Sequence, residues 1–523
     1  MELPDHDCAL RPIVVEQQQV IAQLQELSAQ QQRVIAQLQE LAAQQHQVIE
    51  REMPQLRAKL EAAVAHIEKL ERALYGKKSE KMPPVAEALR AEESAEELEA
   101  RRQAALERRA ERAALKRKLA PQTVTHHVPD EDKECPACGG TADRPVGDGK
   151  KTELYEYIPG YFARQQHVQD KLACRCGGYI ATAPPPRRVV EGGKYGPGFI
   201  AHIVVMKCAD SLPLYRLAKQ YERIGIPMSR STLNDLFHLA ARKLEALYRR
   251  LLWHIAQADL VQADETPIKM LEPERRGYVW AFIAERLIAY RFSASRSGQT
   301  PVDVLGGTKG TLIVDAYTGY NRVASVDGRE RAGCLAHVRR KFFDSLATAP
   351  EEARRALDLI LAVYRVEHEA RARGVVRTPE HLALRQSEGR EAMGRFRSFL
   401  DEEQPRHPPK SPIGAAISYA RNQWDTLTRF LDDVKIPLDN NASERALRVV
   451  ALGRKNYLFV GDKDHGENLA GLYSLVSTCD ANDVDPIAYL KDVLLRVDDH
   501  PASQIDDLLP HRWTPPVTWT TER

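Results

Sequence analysis

Between residues 258 and 326 the chain carries five short strand-like runs, DLVQADE, GYVWAFIA, LIAYRFS, TLIVDAY and NRVASV, with helical sequence on either side. Two of these runs set a carboxylate against an apolar strand. Asp264 follows Leu260-Val261 in the first, and Asp315 stands directly after Leu312-Ile313-Val314 in the fourth. A carboxylate beside buried apolar sequence is costly unless it is paired or binds a cation. The fold must therefore supply both aspartates with a partner or a cation.

Three strands in an antiparallel meander, then a helix, then a parallel strand, is the order of the ribonuclease-H fold. Its first and fourth strands are neighbours, so Asp264 and Asp315 are expected to converge. Phosphodiester chemistry with two metal ions calls for a third carboxylate. The run Pro437-Leu-Asp439-Asn440-Asn441-Ala-Ser443-Glu444 offers one, with Asn441 or Ser443 capping a helix, Glu444 in its first turn and Arg448 one turn on. Ordinary electrostatics at a helix start also accounts for Glu444 taken alone.

The first 75 residues form a repeat: QQQVIAQLQELSA at 17–29 returns as QQRVIAQLQELAA at 31–43. Val20, Leu27, Val34, Leu41 and Val48 recur every seventh position, with Leu24 and Leu38 between them. A sustained heptad stripe predicts a coiled coil and self-association over residues 1–82. Residues 83–120 read as a charged helix and linker. Its stretch from Arg101 to Lys118 holds eight Lys/Arg against Glu107 and Glu111, either a solvated face or a DNA contact.

Residues 121–190 contain two cysteine pairs, Cys135/Cys138 and Cys174/Cys176. Two thiolates three residues apart on a Gly-rich turn suit one tetrahedral, structural Zn2+. The second pair has one intervening residue where two are usual, which leaves His126, His127 or His167 as a substitute ligand. A knuckle that folds without metal is the other reading. Residues 191–257 read as helical. Leu214–Ile224, Gly225 and an N-cap at Ser229 give a helix-turn-helix pattern, with Arg230, Ser231, Thr232 and Asn234 as exposed readers, or else a plain packing unit.

The wider sequence resembles the transposases of the insertion-sequence-66 family, the large catalytic subunit of those bacterial elements. The likeness runs over residues 74–515 through LYGKKSEK, CPACGG, ADETP, DAYTGYN, CLAHVRRKFF, LDNNASERALR, LGRKNYLF and DPIAYLKDVL. The resemblance implies a DDE catalytic domain over 258–460, ribonuclease-H-like, with a helical insertion at about 345–436. A helical C-terminal region and tail follow at 461–523. It carries over Asp264, Asp315 and Glu444 as the triad, holding two Mg2+ or Mn2+ ions, with Cys334 and His337 bracing the site. Arg339, Arg340, Lys341, Arg445, Arg448, Arg454 and Lys455, with Arg230, are expected to contact DNA. Implied partners are the element ends, target DNA, a second copy of the chain and two small accessory proteins. The implied location is the bacterial cytoplasm, at the nucleoid. Two other readings are a nuclease of the same fold that cuts without joining, and a catalytically inactive DNA-binding regulator.

Composition fits a folded protein with no membrane span and no disulfide scaffold: 43% hydrophobic residues and eight cysteines in 523 residues. The 75 basic and 73 acidic side chains nearly cancel, but the sum conceals local charge. A basic helix is offset by acidic stretches such as Glu92–Glu99.

Overall fold

The computed structural model describes residues 16, 19–44, 85–90, 94–117, 162, 167, 171–173, 180–182, 186–271, 275–324 and 328–516. The chain divides into two units, Met1–Met82 and Pro83–Arg523. In the first, residues 19–44 are helical, as expected for Gln, Leu and Ala, none of which branches at Cβ. Val20, Leu24, Leu27, Val34, Leu38 and Leu41 all remain about half exposed along it.

The second unit includes a charged helix, Ala95–Arg117. Ser94 and Glu97 cap it reciprocally: the Glu97 amide donates to Ser94 Oγ at 3.2 Å and the Ser94 amide to Glu97 Oε2 at 2.8 Å. A two-stranded antiparallel ladder, β1 (Lys171–Ala173) with β2 (Ile180–Thr182), flanks the second cysteine pair. Cys135, Cys138, Cys174 and Cys176 lie outside the described residues, as do His126 and His127.

Four helices follow: Pro197–Cys208, Leu214–Arg223, Arg230–Lys243 and Glu245–Gln257. Gly225, at φ +82°, makes the turn between the second and third, where a side chain would be strained. Ser229 caps the third helix by accepting from the Thr232 amide at 3.0 Å. Leu217, Leu233, Phe237, Leu247 and Leu251 bury their inner faces.

The sheet has five strands: β3 (Leu260–Met270), β4 (Arg275–Ala284), β5 (Leu287–Ser293), β6 (Gly310–Ile313) and β7 (Arg329–Ala332), in the spatial order β5-β4-β3-β6-β7. β3, β4 and β5 form an antiparallel meander. β6 joins β3 in parallel after the short helix Gln299–Leu305, and β7 joins β6 in parallel. Gly310 opens β6 at φ +115°, where an added Cβ would lie 2.2 Å from the Asp259 carbonyl oxygen. The β6 chain could not enter beside β3 with a larger residue there. The outer edge of β5 is closed by the helix Lys463–Ala481. Its Ser474 Oγ accepts from the Tyr290 amide at 2.8 Å, and its Thr478 Oγ1 bonds both the amide and carbonyl of Ile288.

Residues beyond β7 build a second core. Phe342, on the helix Leu335–Ser345, meets Phe396 and Phe399 of the helix Arg390–Glu403. A buried ionic node ties the helix Pro350–Ala372, through Glu367, to Arg385 and the returning chain. Arg385 makes a two-point contact with Glu367, at 2.7 and 2.9 Å, and donates to the carbonyls of Phe430, Asp433 and Ile436. Among the described residues no helix is long and apolar enough to cross a membrane.

Three sequence expectations are corrected. Asp264 does not end its strand: β3 continues six residues further to Met270, paired throughout with β4. Nor do the described residues of the NRVASV run, 321–324, form a strand. Thr318–Arg322 is a 3-10 turn, and the fifth strand is Arg329-Glu330-Arg331-Ala332, too polar to show an apolar pattern. Finally, neither Asn441 nor Ser443 caps the Glu444 helix, which runs Asn441–Tyr457 with Asn440 at the N-cap position. Asp439 Oδ1 accepts from the Asn441 amide at 3.1 Å instead, one residue further out.

Candidate active site

The ladder between β3 and β6 ends at the pair Gln262–Ile313. Two residues further along each chain stand Asp264 and Asp315, so the parallel register carries both aspartates to the same level. Neighbouring strands lie about 4.8 Å apart. Asp264 is half-buried, and its Oδ1 accepts from the Glu265 amide at 2.9 Å. Asp315 Oδ1 accepts from the Tyr317 amide at 2.9 Å. The Arg331 guanidinium donates to the Asp315 and Tyr317 carbonyls, fixing the chain as it leaves β6.

Glu444 arrives from far along the chain, and Asn440 determines where. Asn440 is fully buried; its Nδ2 donates to the Ala263 carbonyl at 2.7 Å and its amide to Cys334 Sγ at 3.2 Å. The Leu335 amide donates to the Leu438 carbonyl at 2.9 Å. The start of the Glu444 helix is thereby bolted to the strand residue preceding Asp264 and to the start of the helix Leu335–Ser345. His337 and Arg340, in the first and second turns of that second helix, approach Glu444 at 4.0 and 3.7 Å.

Burial is the main cause that lifts the Asp264 carboxyl from 3.8 to about 7, and the neighbouring Glu265, Asp315 and Glu444 charges add to it. Glu265 is also raised by burial, though Tyr320 Oη at 2.7 Å and Arg296 Nε at 2.8 Å donate to it. Its side chain is almost wholly buried, which makes it a brace for the strand. Cys334, pushed up to about 12 by burial, stays a thiol that accepts from Asn440. Among the described residues no three His, Cys, Asp or Glu side chains are gathered closely enough to ligate one ion. The donor set of Asp264, Asp315 and Glu444 is nonetheless all oxygen, which suits a hard divalent cation.

The basic side chains divide into two groups. Arg340, Lys341, Arg445, Arg448 and Lys455 are exposed, as is Arg230 on its separate helix. The other two expected DNA contacts, Arg339 and Arg454, are engaged within the fold. Arg339 is buried, and desolvation lowers its pKa despite the nearby Tyr364. Arg454 donates to Thr266 Oγ1 at 2.6 Å and to the Pro267 carbonyl, tying the Glu444 helix to β3. Asn440, Glu265, Tyr320 and Arg331 were not singled out from the sequence. Each lies within a few positions of a triad residue or a strand end, and polar residues beside a suspected carboxylate were the available signal.

A mixed sheet with carboxylates from three distant segments turned toward the mouth of its central strand pair defines a helix-rich α/β protein built around an acidic site. Residues 192–468, more than half of the chain, match the family described as "Transposase IS66 family". Residues 474–511 match the "IS66 C-terminal element", and residues 132–177 the "zinc-finger binding domain of transposase IS66". The chain belongs to the IS66 transposase family. Its relatives include two proteins of Sinorhizobium fredii, "Uncharacterized protein y4jD" and "Uncharacterized protein y4hP". The first is 32% identical over 409 residues, 74% of this chain and 79% of its own length. The second is 30% identical over 484 residues, 86% of this chain and 88% of its own.

Proposed function

We propose that this chain is the catalytic transposase of its element, cutting DNA at the element's inverted repeats and joining the freed ends to a target. The observation that carries the reading is the placement of Asp264 and Asp315 at one level where the β3–β6 pairing ends, with the Asp315 and Glu444 charges close enough to add to the upward shift of Asp264. The sheet order, an antiparallel meander with two parallel strands added beside its first strand, supports a ribonuclease-H-like domain. Asp264, Asp315 and Glu444 would hold two Mg2+ or Mn2+ ions, which when bound activate the attacking oxygen and stabilise the leaving 3′-oxygen.

The chain's own residues hold this site in place and draw the backbone of DNA to it. Asn440 positions Glu444 relative to Asp264, and Glu265 locks β3 through Tyr320 and Arg296. His337 and Arg340 face Glu444 and restrain its carboxylate. Arg340, Lys341, Arg445, Arg448 and Lys455 bind phosphates and set the strand's register, as backbone contacts generally do. DNA ends are further recognised by a zinc module on Cys135, Cys138, Cys174 and Cys176 and by the helix pair that presents Arg230. The exposed heptad stripe of residues 19–44 serves self-association, and two small proteins of the same element assist. The protein works in the bacterial cytoplasm, at the nucleoid.

Incubation with labelled terminal-inverted-repeat duplex and Mg2+ tests this. Cleavage with joining is the expected result. Cleavage alone makes the protein a nuclease, and binding alone a regulator. Full cleavage by Asp315→Asn would remove the triad assignment.

A further inference from the structure

The Glu444 helix leads from the acidic site to an apolar outcrop that packing does not explain. Arg448, Leu452 and Lys455 follow Glu444 at spacings of four, eight and eleven residues, so they share its helix face. Arg448 and Lys455 are exposed, and Leu452 is 57% exposed. The helix then stops at Leu458, which is 64% exposed and held at φ +67°. That conformation is rare and strained for a residue with a branched side chain. Phe459, next along, is 42% exposed.

This outcrop is fixed to the end of β3. The Val460 amide donates to the Lys269 carbonyl at 2.9 Å, and the Leu271 amide to the Val460 carbonyl at 2.9 Å. Leu271 is itself 46% exposed, and exposed Arg275 and Arg276 pair with Met270 and Lys269 across the hairpin. Three large apolar side chains therefore stand on a rigid ledge flanked by Arg275, Arg276 and Lys455. The ledge lies about 21 Å from Glu444, at 1.5 Å per helical residue.

We propose that Leu458 and Phe459, with Leu271, form a wedge that packs against unstacked bases of the DNA end held in the acidic site. This rests on the transposase reading above. The flanking cations match the phosphates on either side of an opened step, and exposed apolar side chains match base faces that have left the stack. A strained, solvent-facing leucine beside a phenylalanine suits insertion between bases. Arg448 and Lys455 carry the backbone along the helix from the carboxylates to the wedge.

The test uses the full chain and the terminal-inverted-repeat duplex of the cleavage assay, with 2-aminopurine at successive positions from the terminus. The parent protein is expected to raise the probe's fluorescence about twofold or more at one or two adjacent positions, as unstacking does. Leu458→Gly combined with Phe459→Ser should abolish that rise while leaving affinity within about threefold, since phosphate contacts dominate binding. Glycine accepts a positive φ without strain, so Leu458→Gly alone should fold at least as well as the parent, and it should cut the rise by itself. An undiminished rise in the double variant overturns the wedge. So does an unchanged rise together with a loss of the parent's oligomeric mass, which would make the ledge an interface between copies. A parent that neither binds nor cleaves the duplex refutes the transposase reading instead, and is recognised by that double failure.

Discussion

Replacing Asp264 with Asn should stabilise the protein in the absence of metal, the reverse of what truncating a well-paired buried group does. In the folded chain burial and three acidic neighbours lift Asp264 from 3.8 to about 7. Between those pH values the folded state binds a proton that the unfolded state has released, so stability falls as pH rises through that window and the full penalty is present above pH 7. At about 1.4 kcal/mol per pKa unit the ceiling is about 4 kcal/mol, and solvent screening of a half-buried group brings it to roughly 2–4 kcal/mol. Asn removes the charge and keeps an oxygen to accept from the Glu265 amide. For a unit the size of Pro83–Arg523, unfolding entropy converts each kcal/mol into about one degree of Tm.

The assay is thermal unfolding of parent and Asp264→Asn in chelator at pH 5 and pH 8, repeated at pH 8 with Mg2+. The variant should gain about 2–4 °C over the parent at pH 8 and much less at pH 5. Added Mg2+ should raise the parent's Tm and close the gap, because a ligand of the native state stabilises it by mass action. Cleavage by the variant should be lost throughout. A variant less stable than the parent at pH 8 in chelator would refute the argument, since Asp264 would then be a satisfied structural carboxylate.

Asn440→Ala should cost about 1–3 kcal/mol in denaturant unfolding through loss of the buried bond to Ala263, and should lower the cleavage rate more than DNA affinity. Asn440→Asp should be worse by both measures, because it turns a carboxylate toward a carbonyl and adds a charge to an acidic cluster. Arg385→Ala should destabilise the protein by about 3–5 kcal/mol, leaving buried Glu367 with only His381 beside it; an effect under about 1 kcal/mol would show that the helical insertion does not depend on this node. Gly310→Ala should reduce soluble yield and cleavage together, since the Cβ has no room beside the Asp259 carbonyl; a variant with parental Tm would contradict that close approach.

The parts of the site legible in the sequence were those with strong periodic or compositional signals. Leu312-Ile313-Val314 is buried on every side, so its strand and the anomaly of Asp315 could be read directly. The meander was legible because GYVWAFIA and LIAYRFS are dense in aromatic and β-branched residues. Where the signal was weak, the expectation failed. β7 is made of Arg, Glu, Arg and Ala, and it is a strand because β6 offers it a free edge and the Arg331 side chain bonds back to the turn after Asp315. The long extension of β3 through Glu265-Thr266-Pro267 is likewise tertiary in origin. It is imposed by nine consecutive pairings with β4 and by Arg454 reaching Thr266 from the Glu444 helix. Local propensity carries no trace of a partner so far along the chain.

The same reasoning explains why Glu444 was the least legible of the three carboxylates from its own surroundings. A glutamate in a helix's first turn is ordinary, and its meaning depends on what fixes the helix. That is Asn440, whose side chain reaches Ala263 across 177 positions of sequence while its amide engages Cys334. The residue adjacent to Asp264, the N-cap of the His337 helix and the N-cap of the Glu444 helix are thus joined through one residue, by its side chain on one side and its backbone amide on the other. Any change that frees Asn440 releases all three at once. Variants at Cys334 provide an independent check on that coupling. Cys334→Ala deletes the sulfur acceptor while leaving the Asn440 bond to Ala263 intact, so it should lose less cleavage activity than Asn440→Ala. The double variant should lose less than the sum of the two in free energy, because both act on one structural link. Strictly additive losses would mean that the two contacts position Glu444 separately.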